Sequence, residues 1–280
     1  MILVPDIGFD WTVWKTFMER NGDRYSMWAI TIPGMDKTEA PQLLPGEDWE
    51  AMRLTINTVS AIAQFIEENK IDRPVIVGHG YGGHMAMRLA LDHPDLTRGI
   101  VSINGLPVQM LADPNQEDSL AERRLILRES LAPKMKMLTD QEWHDRHYAT
   151  GFSLVTDGHR ANELAAMLAS QDRGVYSFFL FETILSDIRP RLQELRVPML
   201  CIAPITPEPP PPPQIVHLTW QKALGAPPGA WLVYYPNCRH FVMDDNPQQL
   251  DVDISLFVAG KDVPGGQKSP TPIGAGRIDP

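Results

Sequence analysis

Apolar residues along this chain follow two rhythms that alternate. Ile2-Leu3-Val4 is a short continuous run closed by Pro5 and the turn around Gly8, which predicts a buried strand. Residues 11–20 read as a short helix. Tyr25 to Ile32 predicts a second strand, stopped by Pro33-Gly34, and a polar, Pro-rich loop then runs to Glu47. Met52, Ile56, Val59, Ala63 and Ile66 recur at three- and four-residue spacing, the buried stripe of an amphipathic helix over roughly 48–69. Pro74 to Gly78 contains the β-branched run Val75-Ile76-Val77. Tyr81 to Asp92 is helical, with Met85, Ala86 and Leu89 on one side, and Gly99 to Ile103 is the next strand.

This alternation predicts an α/β fold, a mostly parallel sheet of about six strands covered on both faces. Residues 106–196 break the rhythm. They hold helical pieces, Leu120–Leu131, Gln141–Tyr148, Arg160–Ala169 and Val175–Leu185, and read as a helical cap inserted into the sheet. The rhythm resumes with the strand Met199–Ile202, a helix near 214–224, the strand Trp231 to Tyr235 and a last helix from Pro247 to Val258. The expected organisation is therefore core at 1–105, cap at 106–196, core again at 197–258, and a Pro/Gly-rich tail at 259–280. The five prolines Pro209 to Pro213 predict an extended polyproline stretch.

The formal net charge is −10, with no long basic run, so nucleic acid is not an expected partner. No stretch approaches the roughly 18 apolar residues of a membrane span, and no signal peptide is read at the N-terminus. A cytoplasmic location is expected, either free or peripheral on a complex. Cys201 and Cys238 form neither a disulfide framework nor a zinc signature. No metal and no cofactor is expected.

Gly78-His79-Gly80-Tyr81-Gly82 lies directly between a predicted strand and a predicted helix, with Gly83 following. In the pattern G-x-S-x-G such a turn presents a nucleophilic serine above the sheet, and the flanking glycines avoid clashes with the neighbouring strand and helix. Here Gly80 stands in the serine slot. With Pro5 to Trp14 after the first strand, Pro33-Gly34 after the second, and Arg239-His240-Phe241 after the last, the chain resembles the cap-bearing α/β-hydrolases of the esterase, lipase and haloperoxidase-like kind over most of residues 1–258. The resemblance implies that the chain begins at the family's third strand, so that the family's first two strands are missing and one sheet edge is exposed. It also implies that His240 fills the catalytic histidine position. The acid position after Met199–Ile202 holds Ala203-Pro204-Ile205-Thr206-Pro207 and no aspartate. The alternative position, after 99–103, is Asn104.

The triad therefore reads Gly80, Asn104 and His240. Glycine has no atom that attacks a carbonyl, and an amide does not stabilise a protonated imidazole as a carboxylate does. The backbone N–H groups of Tyr81 and of the loop Ile7-Gly8 would still form an oxyanion hole able to bind a small carbonyl compound.

Three readings follow. The first is an inactive hydrolase fold serving as a structural or binding subunit, with a protein partner held by the tail, the polyproline segment or the edge strand 25–31. The second is a lyase or unorthodox hydrolase using His240 as a base, with a carboxylate from Asp113, Asp187 or Glu208 beside it. The third is an engineered Ser→Gly variant of a working esterase. His79 and His84 read as packed structural side chains, Cys238 as no partner for His240, and His144 and His147 as cap residues rather than metal ligands.

Overall fold

A computed structural model describes residues 1–43, 46, 48–109, 119–206, 213–225, 227 and 229–268. The strands are β1 (Ile2–Val4), β2 (Trp28–Ala29), β3 (Val75–His79), β4 (Gly99–Ile103), β5 (Met199–Ile205), β6 (Ala230–Pro236) and β7 (Gln267–Lys268). They form one sheet of seven strands in the order β2-β1-β3-β4-β5-β6-β7. All neighbours are parallel except β6 and β7.

The sheet's side chains alternate between two apolar layers, as the period of two in a strand requires. Ile2, Val4, Ile76, Ile100, Met199 and Cys201 face one layer; Leu3, Val77, Val101, Ile103, Leu200 and Ile202 face the other. The first layer is closed by α2 (Arg53–Glu68) and α3 (Tyr81–Asp92), with α9 (Pro213–Leu224) contributing Trp220 and Leu224. The second is closed by α1 (Lys15–Asn21) and α11 (Pro247–Val258), with the short α10 (Val242–Asp245) between β6 and α11. The helix expected at 48–69 is divided. A 3-10 turn at Trp49–Ala51 ends at Met52, which has a positive φ, and α2 starts after it.

The cap holds α4 (Leu120–Ile126), a π-helical turn (Leu127–Leu131), α5 (Ala132–Met137), α6 (Asp140–Leu154), α7 (Gly158–Ala169) and α8 (Arg173–Leu185). Its neck is closed by an antiparallel bridge between Val108 and Asp187.

Two expectations need correction. The strand expected over Tyr25–Ile32 pairs only at Trp28–Ala29. The chain is still turning at Tyr25, whose N–H is bonded to the Asn21 carbonyl. The tail read at 259–280 as a Pro/Gly-rich end without structure of its own is, over the described part Gly260–Lys268, packed on its own chain. Val263 is buried in the core, and Gln267 and Lys268 pair with Leu232 and Trp231. A two-residue strand of exposed polar residues carries no apolar alternation, so periodicity misses it. The prolines Pro209 to Pro212 and the tail from residue 269 lie outside the described residues.

Candidate functional site

The parallel register pairs Val4 with Gly78, so the segments leaving β1 and β3 emerge side by side at the same end of the sheet. β3 ends at His79, and Gly80 turns the chain into α3 with φ +53° and ψ −125°. Its N–H is held by the Ile103 carbonyl at 2.9 Å. The turn is tight on every side. A Cβ on Gly82 would lie 2.4 Å from the carbonyl oxygens of Val4 and Pro5. A Cβ on Gly80 would lie 2.2 Å from Cγ of Asp6. The space in front of Gly80 is filled by the carboxylate of another residue.

Asp6 is the second residue beyond β1. Its Oδ1 accepts the N–H of Ile7 at 2.8 Å and the N–H of Tyr81 at 2.7 Å. Tyr81 begins α3, and a helix N-terminus favours an anion through its unpaired N–H groups and its dipole. Asp6 Oδ2 accepts Nε2–H of His240 at 2.8 Å. Burial pushes the Asp6 carboxyl up, but the His240 hydrogen bond and charge, with the Tyr81 N–H, outweigh it and hold it below the usual aspartate range.

His240 is carried by the segment between β6 and α10. Its Nδ1 lies 2.7 Å from Nδ2 of Asn104, so the ring is held between that amide and Asp6. Asn104 follows β4 with a φ of +50°, its N–H bonded to the Ile202 carbonyl. His79 is fully buried beneath this pair, donates Nε2–H to the His240 carbonyl at 2.9 Å, and has its ring 4.3 Å from that of His240. Burial lowers its pKa to about 3, so it stays neutral. Four loops thus converge on one chain of hydrogen bonds, from the Ile7 and Tyr81 amides through Asp6 and His240 to Asn104.

A cavity of about 420 Å³ opens over this chain, beneath the cap. Its apolar wall includes Phe9, Leu154, Leu168, Leu180 and Ile184, and Tyr176 of α8 also lines it. Gly8, expected beside Ile7, has a φ of +86°. A Cβ there would strike Leu168 and Tyr176 at 2.4 and 2.8 Å, so its role is to let the cap approach.

Of the residues singled out in the sequence, Gly80, Tyr81, Ile7, Asn104 and His240 are brought together. The N–H pair expected to be open is occupied, however, and the carboxylate beside His240 is none of those anticipated. Asp187 is held by Arg189, and Asp113 and Glu208 lie outside the described residues. Asp6 was missed because an acid two residues past a strand reads as loop polarity. Its signal was its position, immediately before Ile7, whose amide was already expected in the site.

His84 bonds the Leu106 carbonyl and Ser186 Oγ. The Cys238 thiol is buried, which pushes its pKa up to about 11. His147 is buried against the Trp143 carbonyl, whereas His144 is exposed. Among the described residues no group of three or more His, Cys, Asp and Glu side chains is placed to hold a metal ion, and no helix is long and apolar enough to cross a membrane.

Residues 1–251 match the family model described as "Alpha/beta hydrolase family". The chain belongs to the alpha/beta hydrolase family. Solved structures agree with the fold at low identity. MenH from S. aureus superposes with a TM-score of 0.69 at 16% identity, over 92% of this chain and 92% of that one. The enol-lactonase from Burkholderia xenovorans LB400 does so with a TM-score of 0.67 at 16% identity, over 92% and 90%. The esterase RhEst1 from Rhodococcus sp. ECU1013 gives 0.69 at 14% identity, over 93% and 90%.

Proposed function

We propose that this alpha/beta hydrolase family member does not carry out acyl transfer and acts instead as a binding protein, with its pocket kept and its reaction centre closed. One observation carries the reading: the Asp6 carboxylate fills the space in front of Gly80 and takes both N–H groups that would receive an oxyanion. Catalysis by such a pair requires donors aimed at charge that develops in the transition state. Here the charge is already present. A second negative charge forming about 3 Å from Asp6 would be disfavoured by about 5 kcal/mol at an effective dielectric of about 20. Gly80 offers no attacking atom, and both ring nitrogens of His240 are engaged by protein groups. The larger role, as a subunit of an assembly, draws on the exposed sheet edge at β2, where the Trp28 side chain is partly solvent-facing.

A second reading is favoured by the cavity that opens onto Asp6 and His240. In it the pair moves a proton on a bound substrate, as in a lyase or a hydrolase that does not use serine. The two readings separate on a panel of p-nitrophenyl esters and lactones assayed with wild type, His240→Ala and Asp6→Asn. The binding reading expects all three proteins to stay at the uncatalysed rate. Turnover by wild type that both substitutions abolish would establish the second reading instead.

A further inference from the structure

Of the similar structures named above, one is an enol-lactonase and one an esterase, and a carbonyl ligand was the expectation from sequence. The charges in the pocket point elsewhere. Among the described residues lining the cavity, no Lys or Arg is present, and Asp6 is the one carboxylate. Of the two imidazoles that line it, His84 is kept neutral by burial, which lowers its pKa to about 4. His240 is engaged on both sides, by Asp6 at Nε2 and by Asn104 at Nδ1. The floor therefore holds one carboxylate and no Lys or Arg, and backbone and imidazole N–H groups answer it.

The carboxylate also retains acceptor capacity. Oδ1 takes two N–H groups, which uses both of its lone pairs. Oδ2 takes only His240, which leaves one lone pair free. Above it stand the aromatic residues Phe9 and Tyr176 and an apolar wall of Leu154, Leu168, Leu180 and Ile184. The Tyr176 hydroxyl is held neutral by burial and by the charge of Asp6, so it offers the pocket a proton donor and an aromatic face rather than a phenolate. An anionic head would meet Asp6 with no Lys or Arg in the described lining to offset it. A positively charged head would meet a carboxylate with a vacant acceptor site and aromatic rings that attract cations.

We propose that this pocket binds an organic ammonium compound, with its charged nitrogen on Asp6 Oδ2 and its apolar body along Phe9, Leu168 and Leu180. The cavity, about 420 Å³, lies at the lower end of the range for small-ligand sites, and a body of one ring with a short alkyl arm fits that class. The proposal rests on the reading of the site as a binding pocket closed to acyl transfer, and it deepens that reading by naming the ligand class.

The test uses three probes of the same shape at low salt: 2-phenylethylammonium, 2-phenylethanol and phenylacetate. Binding is followed by calorimetry on the full chain. The expected order is ammonium tightest, alcohol weaker by about tenfold, and phenylacetate undetectable. Asp6→Asn should erase the tenfold preference for ammonium while leaving the alcohol within a few-fold of its wild-type affinity. Leu180→Trp, which fills the cavity without touching the carboxylate, should abolish binding of both and so locate the site even if Asp6→Asn is poorly folded. Phenylacetate binding as tightly as the ammonium, an unchanged ammonium affinity in Asp6→Asn or in Leu180→Trp, or no binding of any probe would each overturn the proposal. Ester turnover by a protein that still prefers ammonium would overturn the binding-only reading and leave the ligand class standing.

Discussion

Asp6 and Gly80 occupy one site between them, and each explains the other. With Asp6 in place, any side chain at position 80 must start 2.2 Å from its Cγ. The positive φ of Gly80 adds strain for an L-residue. Gly80→Ala should therefore destabilise the protein by more than about 3 kcal/mol in urea unfolding. In an Asp6→Gly background the same substitution should cost at least about 1 kcal/mol less, since the clash is then gone. Independent, additive costs would show that the two positions are not coupled. His79 gives a second prediction at this scale. Its pKa is about 3 when folded and about 6.5 when unfolded, so the unfolded chain binds the proton first as pH falls. Its neutral burial contributes full stability above pH ~6.5, and that contribution is lost as pH falls toward 3. His84, lowered to about 4, adds in the same direction. Asp6 acts lower still, because a depressed carboxyl loses its contribution only below the ordinary aspartate value. Urea midpoints should fall across pH 6.5–4, and His79→Gln should flatten that fall. An equal slope in the variant would assign the acid sensitivity to other groups.

At the scale of elements, the cap is tied to the core through α8. Glu182 of α8 is fully buried and accepts from the N–H groups of Leu54 and Thr55 at 2.9 and 2.8 Å and from Thr55 Oγ1 at 2.5 Å. The residue preceding α2, Met52, provides no side-chain cap, so a glutamate from another helix satisfies its first turn. The network continues from Thr55 Oγ1 to the Tyr81 hydroxyl at 2.9 Å, and the Tyr81 ring stacks on His84. The roof of the pocket and the turn at its floor are thus joined by one polar path. Glu182→Ala leaves two buried N–H groups without an acceptor and should cost at least about 2 kcal/mol. Hydrogen exchange should rise first in α8 and in the opening turn of α2. A uniform rise, or none, would mean that the cap is held by its apolar contacts alone. This link was not legible in the chain, because Glu182 lies 128 residues from Leu54 and inside a run of aromatics, where periodicity reports only an apolar face.

Over the whole molecule, the chemistry of the sequence foretold the fold better than the site. The parallel sheet was legible in β-branched runs such as Val75-Ile76-Val77 and in the glycines at 78 and 82, whose missing side chains admit α3 against β3 and β1. Position 80 and His240 were legible as members of a strand–turn–helix and a strand–loop pattern. What joined them was not, because Asp6 reaches His240 across 234 residues through sheet register and leaves no local trace. The same limit applies to β7, which exists because β6 offers it an edge. With the sheet ending at β2, pairing at that edge is the assembly route the described residues offer. Light scattering of protein from its own cells should then give a species larger than one chain, and Trp28→Lys should reduce it. A monomer in both cases would remove the subunit role and leave the pocket's binding role intact.

The central claim is that a carboxylate of the chain itself occupies the amide pair at the floor of the pocket. Backbone amide NMR of Ile7 and Tyr81 tests it most directly. Both resonances should lie downfield, move together on acid titration below the ordinary aspartate range, and shift upfield in Asp6→Asn. Amides of Ile7 and Tyr81 that ignore both the titration and the substitution would show the pair to be open, and the account of a closed reaction centre would fall with it.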